Sequence, residues 1–273
     1  MLKSKRTLIL SLILALVFVS AISGVVYAAD SLDELEEWDL VYITDSSGMG
    51  VADKFADNIE RETGKTVRIS GYGYTVGGLS ALRVLQALQS DPESLSDIKF
   101  KSLQADIAEA EVIVLFVTPR GDPSKGGVHD EGMEKCIGCD GGHPPEDCTL
   151  QLYEPYIENL KAIYEEILAL RNGKPTIIRA VDFYNPLISE HRKLNMEIEC
   201  TQCWEIFNTA VRQAADAFNI PFVSVYDVFN GLNHDEDPRE KGYIRNDGRH
   251  TSKQGQQVIA DLLSEAGYEP VEP

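Results

Sequence analysis

The chain has 273 residues, 43% of them hydrophobic and 25% charged, and carries a formal net charge of −19. This is the make-up of a globular protein with enough chain for one well-buried core, so a single domain is the simplest organisation. The acidity speaks against nucleic acid or an anionic membrane surface as a partner.

Lys3, Lys5 and Arg6 precede the apolar run LILSLILALVFVSAISGVV, and Val26 and Ala28 occupy the small-residue positions of a signal-peptidase site. Residues 1–28 therefore read as a signal peptide cleaved after Ala28, leaving a secreted, extracellular domain at 29–273. The alternative is an uncleaved membrane anchor, because the run approaches the roughly 20 residues that a spanning helix needs. No cysteine sits near the cleavage point to carry a lipid. Cleavage would leave 22 basic against 44 acidic residues, a formal −22.

Beyond this segment, short apolar runs alternate with longer stretches of helical period, the pattern of repeated β-α units around a parallel sheet. Five strands are expected, at DLVYIT (39–44), TVRIS (66–70), EVIVLFVTP (111–119), PTIIRAVDF (175–183) and PFVSVYDVF (221–229). Helical spacing marks GVADKFADNIERETG, stopping at Gly64, then LSALRVLQALQ, and LYEPYIENLKAIYEEILALRNGK, stopping at Gly173. A fourth helix, CTQCWEIFNTAVRQAADAFN, opens on Cys200 and Cys203. The last, TSKQGQQVIADLLSEAG, has Thr251 or Ser252 as its N-cap and ends at Gly267. Residues 120–149, rich in Gly, Pro, Asp and Cys, form an insertion loop too long for an ordinary connection.

In an open parallel sheet, function gathers at the carboxyl ends of the strands. Ser46, in YITDSSGMG, follows the first expected strand. A serine hydroxyl becomes a nucleophile only when a base takes its proton, so the candidate base is the next question. Among the histidines, His129, His143, His191 and His234 sit in loop-like or irregular polar contexts, whereas His250 lies in NDGRHTSKQG, three residues after Asp247. That spacing lets a carboxylate reach back to the imidazole Nδ1–H. A D-x-x-H turn is also ordinary turn chemistry, since Asp-Gly favours turns for local reasons. Together, the two turns would lie on the same edge of the sheet.

TDSSGMGVADKF near the N-terminus and DGRHTSKQGQQVIADLL near the C-terminus resemble the first and last blocks of the GDSL, or SGNH, esterase/lipase superfamily. The resemblance implies an α/β, flavodoxin-like three-layer fold with a five-stranded parallel sheet, and a secreted serine esterase that cleaves carboxylic esters without cofactor or metal. It makes Ser46 the nucleophile, although Thr44 stands where the family has glycine, with His250 as base and Asp247 as its orienter. Ser47 is the rival nucleophile. For the oxyanion hole the resemblance points to Gly78, with Gly77 beside it, at the turn before the second helix. Thr118 stands near the position of the family's asparagine, and no asparagine occurs between Asn58 and Asn159. That departure keeps a second reading open, an extracellular binding protein with weak or no catalysis. The substrate would be a small or polymeric ester: acetylated carbohydrate, lipid or a small soluble ester.

Cys136, Cys139, Cys148, Cys200 and Cys203 are disulfide candidates in an exported chain, with one thiol left over. CIGCDGGHPPEDC also sets Cys136, Cys139, His143 and Cys148 close to zinc-knuckle spacing. A redox-active C-x-x-C at Cys200 and Cys203 is a third possibility. The acidic stretch NHDEDPREKG (233–242) lacks the ligand spacing of a calcium loop and reads as a solvated turn.

Overall fold

The computed structural model describes residues 32–95, 97–119 and 148–271. The expected signal segment lies outside the described residues, as do Cys136, Cys139 and His143 of the insertion loop. Five strands, β1 (Glu37–Thr44), β2 (Thr66–Ile69), β3 (Val112–Phe116), β4 (Ile177–Val181) and β5 (Phe222–Val223), form one sheet in the order β2-β1-β3-β4-β5. Every pairing is parallel. All residues of β3 and β4 are buried, and so is β1 from Trp38 onward. Strands buried along their whole length in this way are covered by helices on both faces.

The helices are α1 (Val51–Thr63), α2 (Ala81–Gln89), α3 (Leu103–Glu109), α4 (Glu154–Arg171), α5 (Ile188–Lys193), α6 (Glu197–Asp216), α7 (Val225–Asn230) and α8 (Lys253–Glu265). α1 packs on α8, where Asn58 donates to Asp261 at 2.9 Å, and α4 packs against α2, α3 and α6. Ser80 caps α2 by accepting from Arg83 N–H, and Ser252, rather than Thr251, caps α8 by accepting from Gly255 N–H. α4 ends on Asn172, left-handed at φ +50°, one residue before the expected Gly173 stop.

The run expected as a fifth strand through Phe229 is strand only at Phe222–Val223 and helix from Val225. A short apolar run does not distinguish a buried strand from a buried helix. A distant residue decides it here: the buried Asp182 accepts the N–H groups of Val225 (2.6 Å) and Tyr226 (2.9 Å). Ser224 Oγ accepts a third N–H, from Asp227. α6 begins at Glu197, so Cys200 and Cys203 lie inside the helix rather than opening it. Nor is 233–242 simply a solvated turn. Asp237 is only 3% exposed and bonds Ser189 and Arg239, and Arg239 pairs with Glu190.

β1 lies between β2 and β3, so the strand order reverses there, and the crevice above that point is where α/β sheets bind ligands. Thr44 pairs with Phe116. The chain therefore leaves the two strands at one level, with Ser46 two residues beyond β1 and Thr118 two residues beyond β3.

Candidate active site

Ser46 is presented by a tight turn. Asp45 is extended (φ −83°, ψ −164°), and its carboxylate accepts the N–H of Ser47 at 2.7 Å, which bends the chain into a single 3₁₀ turn at Ser46–Gly48. Gly48 is required by space: a Cβ there would sit 2.2 Å from Thr44 Oγ1 and 2.7 Å from a Phe116 ring carbon. Asp45 is buried, and burial pushes its carboxyl up to about 6, against the opposing pull of the Ser47 hydrogen bonds and of His250.

His250 comes from a second turn. Ile244 bridges Thr251 in antiparallel fashion, Arg245 N–H donates to His250 O at 2.8 Å, and Gly248 N–H donates to Arg245 O at 2.9 Å. Gly248 closes this turn at φ +76°, a conformation glycine adopts without Cβ strain. Within it, Asp247 Oδ1 accepts the N–H groups of Arg249 and His250, both at 2.9 Å, and Oδ2 lies 3.1 Å from His250 Nδ1. Those two backbone N–H groups are the main cause of its carboxyl being lowered to about 2.

The two turns meet across 204 residues: His250 Nε2 lies 3.1 Å from Ser46 Oγ, and Thr251 Oγ1 donates to Ser47 O at 3.1 Å. A proton on Nδ1 satisfies Asp247 and leaves the Nε2 lone pair for the Ser46 hydroxyl. At Ser47, the rival, the N–H donates to Asp45 Oδ1 and the carbonyl accepts from Thr251 Oγ1.

The loop from Thr75 to Ser80, leading into α2, spans the strand ends. Thr75 bridges Thr44, Val76 N–H donates to Thr44 O, Ser80 bridges Thr118, and Ala81 N–H donates to Thr118 O. Gly77 and Gly78 are half-buried in this loop, between the Thr75–Thr44 and Ser80–Thr118 bridges, with Gly78 at φ +68°. Thr118 is buried, and its carbonyl is engaged by Ala81. Lys99 anchors the loop, donating to Thr75 O at 2.9 Å.

Two other histidines differ from expectation. His191 is buried on α5, its Nδ1 3.4 Å from Asn185 Nδ2. His234 lies between Glu205 (3.1 Å) and Asp227 (2.8 Å) and stacks on Tyr226. Cys148 and Cys200 are each disulfide-bonded, whereas Cys203 is a buried free thiol, not a disulfide partner. It packs into the core from α6, where burial pushes its pKa up to about 12, the opposite of a redox-active thiol.

Sequence reasoning did not single out Lys99 or Tyr184, and it marked Thr251 only as a candidate N-cap. Tyr184 follows β4 and donates from Oη to the carbonyl of Arg249 at 2.8 Å, 65 residues away, so no local spacing signals it.

No family model matches the chain, and no curated protein matches it in sequence. Solved structures do match in fold. A protein assigned as a GDSL-like lipase, from Parabacteroides merdae, aligns with a TM-score of 0.52 at 15% identity, over 86% of this chain and 98% of that one. A protein assigned as an SGNH hydrolase, from Slackia heliotrinireducens, aligns with a TM-score of 0.50 at 15% identity, over 84% and 98%.

Proposed function

We propose, starting from the fact that this chain has the fold of the GDSL/SGNH hydrolases, that it is a secreted serine hydrolase of carboxylic esters. The observation that carries the reading is the pair of 3.1 Å contacts joining Ser46 Oγ to His250 Nε2 and His250 Nδ1 to Asp247. Ser46 Oγ attacks the ester carbonyl as its proton passes to His250 Nε2, and Asp247 stabilises the imidazolium. The N–H groups of Ser46 and Gly78, with Gly77 and the Thr118 hydroxyl beside them, hold the oxyanion. Collapse expels the alcohol with the proton from His250 and leaves an acyl-serine. Water then gives its proton to the same histidine, attacks the acyl carbon, and the acid leaves as Ser46 regains its proton. The domain at 29–273 would be exported behind a signal cleaved after Ala28, into surroundings where cysteines stay oxidised as disulfide.

Intact-mass analysis after incubation with a fluorophosphonate tests this, because the probe reports an activated serine whatever the natural acyl group. One adduct on the wild-type protein, absent from Ser46→Ala, is the expected result. A folded wild-type protein that gains no adduct rejects the reading.

Thr118 favours a second reading, an extracellular binder with weak or no catalysis, because it stands near the family's asparagine. Loss of one oxyanion donor has cost about 10²–10³ in turnover elsewhere. Thr118→Asn is expected to raise the rate of ester cleavage in an enzyme with a weakened hole. Turnover that stays at background in both forms supports the binder.

A further inference from the structure

Tyr184 leaves the carboxyl end of β4 and is 3% exposed, with its ring stacked on Phe229 of α7 at 4.9 Å between centroids. Phe229 packs in turn on Tyr243, also at 4.9 Å. Tyr243 belongs to the base of the His250 turn, where its carbonyl accepts Ser252 N–H at 2.7 Å. This aromatic row orients the Tyr184 hydroxyl beneath the turn. There it donates to Arg249 O, the peptide immediately before His250, at 2.8 Å. Burial raises the pKa of this hydroxyl, with Asp45 and Asp247 adding to the rise and Ser47 opposing it.

One hydroxyl therefore sits where the serine turn and the histidine turn come together, and the rigid sheet end carries it. The two turns themselves are joined by the Ser46–His250 contact and by Thr251 Oγ1 donating to Ser47 O. The His250 turn is otherwise exposed, with Arg245, Asn246, Asp247 and Arg249 open to solvent. A turn with little burial opens easily unless tied down. Burial holds the hydroxyl protonated far above its ordinary titration range, so the donor persists at every working pH.

We propose that Tyr184 is a positioning residue, whose hydrogen bond to the Arg249 carbonyl holds the peptide carrying His250 at the distance from Ser46 that proton transfer requires. Its effect on reactivity rests on the esterase reading above; its effect on the turn does not.

Tyr184→Phe keeps the ring stack and deletes only the donor. Native-state hydrogen exchange is measured at the amides of Arg245, Gly248 and His250, with the β3 amides as internal reference, alongside the fluorophosphonate labelling rate and hydrolysis of 4-nitrophenyl acetate. Exchange in the turn is expected to quicken on the order of tenfold while β3 is unchanged. Labelling and kcat should fall on the order of tenfold, with KM unchanged, because small misplacement of a base costs rate more than binding. Tyr164→Phe, which removes a buried hydroxyl with no partner among the described residues, should change none of these. Unchanged exchange in the turn overturns the proposal, as does equal acceleration in turn and β3, which is general destabilisation. Faster turn exchange with undiminished labelling overturns the catalytic consequence. If wild-type Ser46 does not label, the esterase reading fails, and the exchange data alone decide whether Tyr184 fixes the turn.

Discussion

Asp247 serves three donors with one carboxylate, two backbone N–H groups on Oδ1 and the imidazole on Oδ2. An asparagine retains an acceptor for the backbone but cannot offer a second oxygen to Nδ1–H without presenting an NH₂ group there. Asp247→Asn should therefore lower ester turnover by about 10²–10⁴, the scale seen when a triad carboxylate loses control of its histidine. Steady-state kinetics on a small activated ester would measure it, with circular dichroism verifying the fold. The depressed pKa also has a direction. A folded value of about 2, below the usual carboxylate value of about 3.9, gives a stabilising contribution present above pH ~4 and lost as pH falls through about 2. Any loss of activity between pH 4 and 6 must therefore come from another group. The D-x-x-H spacing was legible in the sequence because its hydrogen bonds close within four residues, whereas the Tyr184 tie was not, because it depends on which loops the sheet brings together.

At the scale of elements, α7 depends on a buried acid from another strand end. Asp182 accepts from Val225 N–H, Tyr226 N–H and Ser224 Oγ, yet burial dominates and pushes its carboxyl up to about 7. The folded state thus binds a proton that the unfolded chain has released by pH ~4. Its stabilising contribution is full below pH ~4 and disappears as pH rises through about 7. Denaturant unfolding between pH 4.5 and 7.5 should show a decline in stability that flattens in Asp182→Asn, which keeps an acceptor for the helix N-terminus without a titrating proton. A wild-type curve parallel to that of the variant would reject the assignment. The expected strand at 221–229 failed for the same reason. An apolar run states that a segment is buried, and the partner of its N–H groups determines whether it is strand or helix.

At the scale of the molecule, the buried thiol of Cys203 separates native from unfolded chain. With its pKa pushed up to about 12 and its side chain in the core, it should resist iodoacetamide under native, non-reducing conditions and react once the chain is unfolded. Mass spectrometry of the Cys203 peptide before and after denaturation tests this, and rapid native labelling would place the thiol at the surface. The alternation of apolar runs with helical periods determined the α/β class and the five-strand count, because burial period and chain direction are written locally. The same local chemistry marked the serine turn, the D-x-x-H turn and a helix cap at Thr251 or Ser252. Only the tertiary structure decided that β1 and β3 pair with Thr44 opposite Phe116, that Ser46 and His250 meet at 3.1 Å across 204 residues, and that Cys203 stays unpaired. Those outcomes depend on packing between segments remote in sequence, where each contact exists only if the whole sheet has closed around it.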